Sequence, residues 1–398
     1  MEAVAFNPMD PEFLVDPYPT YHRLRTEDPV HHSPLGFWIL TRYEDVVAAL
    51  RDPRLVKEPI AAFVAERFGV EVPPGFGLSM LDRDPPDHTR LRGLVSRAFT
   101  PRVVERLRPR IQAIVDDLLA RAQAAGGMDV IEDFAYPLPV RVICEMLGVP
   151  VADHERFKGW SLDLARGLDA ILLPADSDVG RRSVTARHAL GDYFRGLIAE
   201  RRAAPREDLL SALIAAEEAG DRLSEPELLA TCILLLVAGH ETTVNLIGNG
   251  TLALLRHPDQ LRRLRADPGL IGSAVEELLR YDGPVQRTAR VPAEDVVIRG
   301  RRIPGGDMVM PFIGAADRDP AQFPDPDRLD LARADNRHVA FGLGIHFCLG
   351  APLARVEGQI ALGTLVARLP RLALATSEPP AYRQSLTLRG LKTLPVSV

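Results

Sequence analysis

The stretch from Phe341 to Arg355 reads Phe-Gly-Leu-Gly-Ile-His-Phe-Cys-Leu-Gly-Ala-Pro-Leu-Ala-Arg, and no other part of the chain is as restrictive. Gly342, Gly344 and Gly350 free the backbone on both sides of Cys348, so the chain can turn tightly there and come close to something flat. Pro352 suits the first turn of a helix, where its missing N–H loses no hydrogen bond. Leu353, Val356, Ile360 and Ala361 then recur at helical spacing. Cys348 therefore sits just ahead of a helix N-terminus, where outward N–H groups and the helix dipole favour a thiolate. With Phe341, Phe347 and Leu349 nearby, such a thiolate suits an iron ligand better than a solvent-facing nucleophile. A buried structural cysteine is the plainer reading of a lone Cys.

The spacing Phe341-x-x-Gly344-x-x-x-Cys348-x-Gly350 resembles the haem-binding loop of the cytochrome P450 family, whose cysteine thiolate is the axial iron ligand. The resemblance implies one domain over residues 1–398. That domain would be mainly α with small β-sheets, a β-rich region mainly near the N-terminus, and a helical body enclosing haem b (iron protoporphyrin IX). It also implies that Cys348 ligates iron and that Phe341, Gly342 and Gly350 bind the cofactor.

The chain's 398 residues are 46% hydrophobic and 26% charged, with a formal net charge of −6. That is a globular composition with apolar material for a large core, and no linker, repeat or low-complexity tract interrupts it. Cys144, Cys232 and Cys348 are far apart and odd in number, which argues against a disulfide framework and for a reducing cytoplasm. Three cysteines are too few for a Cys-based zinc cluster. The N-terminus, Met1 to Phe6, has neither a basic nor an apolar leader region. The longest dense apolar run, Ile233 to Ala238, is well short of the roughly 20 residues of a membrane span. A cytoplasmic protein without a membrane anchor is expected, similar to the soluble bacterial members of the family. The acidic balance and lack of a basic tract give no support for nucleic-acid binding.

Ser224-Glu225-Pro226-Glu227 forms a capping box with proline in the first turn, and the pattern stays helical to His257. Such a helix, about 33 residues, is roughly 50 Å long and should cross the core. Its middle reads Ala238-Gly239-His240-Glu241-Thr242-Thr243. A mid-helix glycine costs about 1 kcal/mol relative to Ala. The threonine can hydrogen-bond back and bend the helix, and a buried acid is expensive unless hydrogen-bonded. Three locally unfavourable choices in one turn mark a functional site. The turn resembles the family's oxygen-activating motif, which implies that Ala238 and Gly239 lie against the cofactor, that Glu241 relays protons from solvent, and that Thr242 holds water, the pair acting as a general acid.

The same resemblance extends to other segments. His88 and Arg92 fall four apart at a helix start and, with Arg290 and His346, are expected to hold the haem propionates, since buried carboxylates need partners. Glu277 and Arg280 resemble the family's structural Glu-x-x-Arg pair, with Arg328 as the expected third partner. Val285, Gln286, Thr288 and Ala289 are expected to line a substrate pocket. Residues 58–80 read as a Pro- and Gly-punctuated loop beside that pocket. Asp169 to Arg181, holding Pro174 and Gly180, reads as a connecting loop, and Leu386 to Leu394 as a last hairpin. Asp317 stands where relatives commonly have Asn.

Together these imply a haem-thiolate monooxygenase that inserts one atom of O2 into an apolar organic substrate by hydroxylation or epoxidation, within secondary metabolism. No glycine-rich dinucleotide pattern follows a strand, so electrons are expected from a ferredoxin and ferredoxin reductase. The arginines Arg97, Arg102, Arg337 and Arg355 are candidates for the docking face, and a monomer is expected. A peroxide-driven enzyme would not need the acid–threonine pair, and a haem-binding sensor or carrier would need no proton relay.

Overall fold

The computed structural model describes residues 6–8, 10–60, 62, 79–169, 177–218 and 223–398. Most of the expected loop at 58–80 and the centre of the one at 169–181 lie outside these residues. The chain divides into two compact units. One holds Met1–Leu55, Val104–Leu138 and Thr242–Val398; the other holds Val56–Val103 and Pro139–Glu241.

The first unit contains the sheets. Val30–Ser33 and Phe37–Leu40 form an antiparallel hairpin with Val30 opposite Leu40. Met308–Pro311 adds a parallel strand, Ile39 opposite Met310. The apolar run Phe37-Trp38-Ile39-Leu40 fits this place because strands in the middle of a sheet bury both faces. Val30, Leu40, Val46, Leu50, Val309 and Ile313 pack together behind it. A second sheet joins Gly127–Asp129, Pro395–Ser397 and Ala373–Leu374. The C-terminal hairpin is wider than the sequence suggests: Tyr382 bridges Leu391, and Lys392 N–H donates to the Ala381 carbonyl. Its tip is tied to the segment after Pro284, with Gln286 N–H on Thr387 O and Arg389 N–H on Pro284 O.

Asp129 to Leu147 has the apolar spacing of one amphipathic helix, but the structure divides it. Gly127–Asp129 is a strand, Val130–Ala135 is a single wide turn, and a helix begins anew at Pro137–Leu147. Asp129 accepts from the N–H groups of Ile131 and Glu132, while Tyr136 N–H reaches back five residues to Ile131 O. Pro137 and Pro139 have no N–H to donate, so they fit only the first turn of a new helix.

In the second unit, helix Phe157–Gly167 packs against Asp178–Ala203. The latter begins before the expected loop ends: the Ser177 hydroxyl caps Val179 N–H, so Gly180 lies inside the first turn. Buried Arg201 pairs with Asp208 at 2.7 Å. The long helix runs Glu225–Arg256, 32 residues. Its capping box is present, with Ser224 N–H and hydroxyl both donating to Glu227, and Arg90 of helix Asp87–Ser96 reaches the same carboxylate. This helix is long and apolar enough to cross a membrane, yet 72% of its most apolar window is buried inside the protein. It is a core helix.

Asp317 closes the short helix Ile313–Ala316 and is 1% exposed. Its carboxylate accepts Val339 N–H at 2.7 Å. Burial pushes its carboxyl up to about 6, against the opposing pull of His338, the Val339 N–H, Arg280 and Arg318. A folded value above the ordinary carboxylate range means that this group's stabilising contribution is complete below about pH 4 and is lost as pH rises through about 6. Asp317→Asn keeps the acceptor and removes the charge. The variant should melt above the native protein at alkaline pH, by on the order of 2 kcal/mol, with the gain shrinking to nothing near pH 4. Thermal unfolding across this range checks it; a lower melting temperature at alkaline pH would contradict it.

Candidate cofactor and active site

The Cys348 loop is shaped by its glycines. Gly342 and Gly344 have φ of +68° and +69°, in the left-handed region that side chains avoid. A Cβ at Gly344 would also sit 2.5 Å from the Leu50 carbonyl oxygen, so the loop passes the end of helix Tyr43–Arg51 at backbone contact. Phe341 carbonyl accepts Cys348 N–H at 2.9 Å and closes the loop. Helix Ala351–Arg368 follows, with Gly350 as its cap and Pro352 in its first turn, as the sequence predicts. Cys144 and Cys232 are buried, and burial pushes both thiols up to about 12. Cys348 is the one cysteine that is partly exposed. Beside it Ile345 and Phe347 are exposed apolar side chains. Among the described residues no group of three His, Cys, Asp or Glu could hold a metal ion. A metal on Cys348 would need its other ligands from a cofactor.

One helix grips both ends of this loop. Glu276, on helix Ile271–Asp282, takes Arg355 in a bidentate pair at 2.7 and 2.9 Å and His338 Nε2 at 3.1 Å. Burial disfavours that carboxylate, but the bonds from His338 and Arg355 prevail and hold it down at about 2. The Arg355 guanidinium also lies 4.6 Å from the centre of the Phe341 ring. Arg355, in the first turns of the helix after the loop, is thus a brace on the loop's far end and stays partly exposed. Exposed Arg337 pairs with Asp335.

Glu277 and Arg280, both fully buried, pair at 2.8 and 2.9 Å. The third cation is Arg333, with Nε 3.1 and 3.2 Å from the two Glu277 oxygens. This corrects the expectation of Arg328, whose exposed side chain takes no part and whose carbonyl accepts from both Arg280 and Arg333. The reason is local: Arg333 N–H closes a turn on the Asp330 carbonyl, and Asp330 N–H lands on Glu277, so the turn folds Arg333 back over the acid. Asn336 completes the shell.

The polar turn of the long helix has an accessible edge. Leu234, Ala238 and Thr242, spaced by four and so on one face, are half-buried, exposed and half-buried, while Leu235, Leu236, His240 and Glu241 are buried. Gly239 meets the neighbouring helix: a Cβ there would lie 2.9 Å from Ile143 Cγ1. Close helix packing thus requires the glycine. Buried Glu241 has His240 Nε2 3.4 Å from its Oε1, a neighbour that sequence reasoning passed over although the two are adjacent.

His88 is buried and Arg92 half-buried on one face of helix Asp87–Ser96, in the second unit. In the first unit, buried Arg290 donates to Thr288 Oγ1 at 3.2 Å and to Ala289 O at 2.8 Å, and half-buried His346 ends the short turn Gly344–His346. Val285, Thr288 and Ala289 are half-buried. Gln286, expected on a pocket wall, is buried with its amide engaged by Tyr21 and Gly283. The Tyr21 bond ties the segment to helix Tyr18–Glu27. Within the first unit, one partly exposed thiol at a helix entrance with exposed apolar side chains beside it fits a flat apolar group that carries a metal.

The family model "Cytochrome P450" matches residues 33–268 and 269–393. The vitamin D(3) 25-hydroxylase of Pseudonocardia autotrophica is 48% identical over 392 residues, spanning 97% of this chain and 94% of its own length. The cytochrome P450 monooxygenase PikC of Streptomyces venezuelae is 46% identical over 97% of this chain and 92% of its own length. Among solved structures, the myxobacterial cytochrome P450 CYP267B1 in complex with myristic acid superposes with a TM-score of 0.91, at 46% identity and 98% coverage of each chain.

The two arginines near Glu277 should behave differently on truncation. Arg333→Ala leaves a fully buried carboxylate with fewer donors and should cost about 2–3 kcal/mol of stability. Arg328→Ala removes only an exposed side chain and should stay within about 0.5 kcal/mol of native. Denaturant unfolding of both variants checks this; the reverse ranking would restore Arg328 as the partner.

Proposed function

Because the chain belongs to the cytochrome P450 family, a family of haem-thiolate monooxygenases, we propose that Cys348 is the thiolate ligand of haem b here. The observation that carries this reading is the single accessible thiol, closed by the Phe341 carbonyl and braced by Glu276 and Arg355 at a helix entrance. When bound, the haem supplies oxygen binding and electron storage; the chain's own side chains do the rest. Arg290 and His346, with His88 and Arg92, hold the propionates by charge-assisted hydrogen bonds. Ala238 and Gly239 offer a helix edge without bulky side chains. Glu241, buried, hands protons from solvent to a water held at the Thr242 hydroxyl, one residue on.

The substrate is an apolar organic molecule of secondary metabolism, oxidised by hydroxylation or epoxidation beside Val285, Thr288 and Ala289. Two of the relatives support an apolar class by name, one acting on vitamin D(3) and one bound to myristic acid. Electrons come from a ferredoxin and its reductase, and the enzyme works as a cytoplasmic monomer.

Vitamin D(3) and myristic acid serve as probe substrates, with binding read from the change in haem spin state. With a probe that binds, Thr242→Ala should keep affinity and reductant consumption, while product per reductant falls several-fold and hydrogen peroxide rises. The ratio of product to reductant oxidised, with peroxide assayed alongside, is the measurement. An unchanged ratio would remove Thr242 from proton delivery.

A further inference from the structure

Glu357 lies in the second turn of helix Ala351–Arg368, which leaves the Cys348 loop, and is 1% exposed. Other buried acids of this unit have firm partners: Glu277 takes Arg280 and Arg333, and Asp317 takes the Val339 N–H. Neither carboxyl oxygen of Glu357 has a well-formed hydrogen bond. Helices pack closely beside it. A Cβ at the next residue, Gly358, would lie 3.1 Å from Leu246 Cδ2 of the long helix and 3.4 Å from Val275 Cγ1. The charges on the surrounding elements are engaged elsewhere: Glu276 with Arg355 and His338, Arg265 with the Leu369 carbonyl, and Arg368 with Asp116. On the long helix after Thr242 the only charged residue is Arg256, about 20 Å further along. No charge acts on Glu357, and burial pushes its carboxyl up to about 8 against a pull from the Thr243 hydroxyl. Thr243 is itself 2% exposed and directly follows Thr242. An ionised carboxylate with no cation beside it is costly in such a place, whereas a neutral carboxyl has one O–H to donate.

We propose that Glu357 is a positioning residue that works as a neutral carboxylic acid, with the Thr243 hydroxyl as its partner. The contact ties the helix leaving the Cys348 loop to the turn of the long helix that holds Thr242. Its bearing on turnover rests on the reading of Thr242 given above; the protonation of Glu357 does not. When the proton leaves for solvent, a lone negative charge remains between the two helices. Because the folded value lies above the ordinary one, the stability this acid contributes is complete below about pH 4 and is lost as pH rises through about 8.

Infrared spectra of the holoenzyme read the proton directly. At pH 7 the native protein should show the carbonyl stretch of a protonated carboxyl group that is missing in Glu357→Gln, and that band should titrate away near pH 8. Thr243→Val, which removes the hydroxyl at nearly constant volume, should shift the band. The melting temperature of Glu357→Gln should gain on native from about pH 4 to about pH 8 and gain no more above that. With NADPH, a ferredoxin and its reductase, Glu357→Ala should release several-fold more peroxide per NADPH than native, and the isosteric Glu357→Gln should stay near native. A carboxyl already ionised at pH 7, a band unmoved by Thr243→Val, or equal peroxide from the Ala and Gln variants would overturn the proposal. If native lacks the thiolate spectrum, the reading of the haem site falls, and the infrared contrasts, which need no turnover, still decide the state of Glu357.

Discussion

Two opposite charges with no solvent exposure, Glu277 and Arg280, hold the segment before the Cys348 loop in place. Burying such a pair costs several kcal/mol per ion, and the mutual attraction offsets this only when the remaining donors and acceptors are also satisfied. Here they are. Glu277 takes Arg280, Arg333, Asn336 and the Asp330 N–H, while Arg280 also donates to the carbonyls of Asp317 and Pro326. The pair thus fixes the segment from Asp317 to Asn336 against helix Ile271–Asp282. Asp317, held at one end, receives Val339 N–H, where the cysteine loop begins. One residue earlier on the same helix, Glu276 grips Arg355, just past the loop's end. Neighbouring acids on a single helix therefore clamp the loop before and after Cys348.

The long helix is under a different constraint. Its length and apolar character come from its place in the core, yet its middle turn carries a glycine, a histidine, an acid and two threonines. Gly239 is required by Ile143. The Leu236 carbonyl lies 2.6 Å from His240 Nδ1 and accepts its hydrogen, which the core could not otherwise accommodate. A polar turn in an apolar helix persists only where function needs it, and this one sits beside an accessible edge of small residues.

Much of this was legible in the chain. The glycines around Cys348, Pro352 in the next helix and the capping box at Ser224 are local signals, and the structure has each where the spacing puts it. The resemblance of the Cys348 loop carried the fold class. What failed depended on where a turn redirects a side chain. Arg328 and Arg333 are five apart in one irregular segment, and only the turn at Asp330 decides which reaches Glu277. Asp129 to Leu147 reads as one helix because apolar spacing does not register the pairing that draws Gly127–Asp129 into a sheet.

The central claim is that Cys348, and no other cysteine, carries the iron. Spectra of the reduced carbon-monoxide complex should be compared for the native protein and for Cys348→Ser, Cys144→Ser and Cys232→Ser. The account predicts the strongly red-shifted thiolate band in the native protein and in the Cys144 and Cys232 variants, and its loss in Cys348→Ser alone. A Cys348→Ser protein that keeps the band, or a native haem-loaded protein that lacks it, would contradict the account.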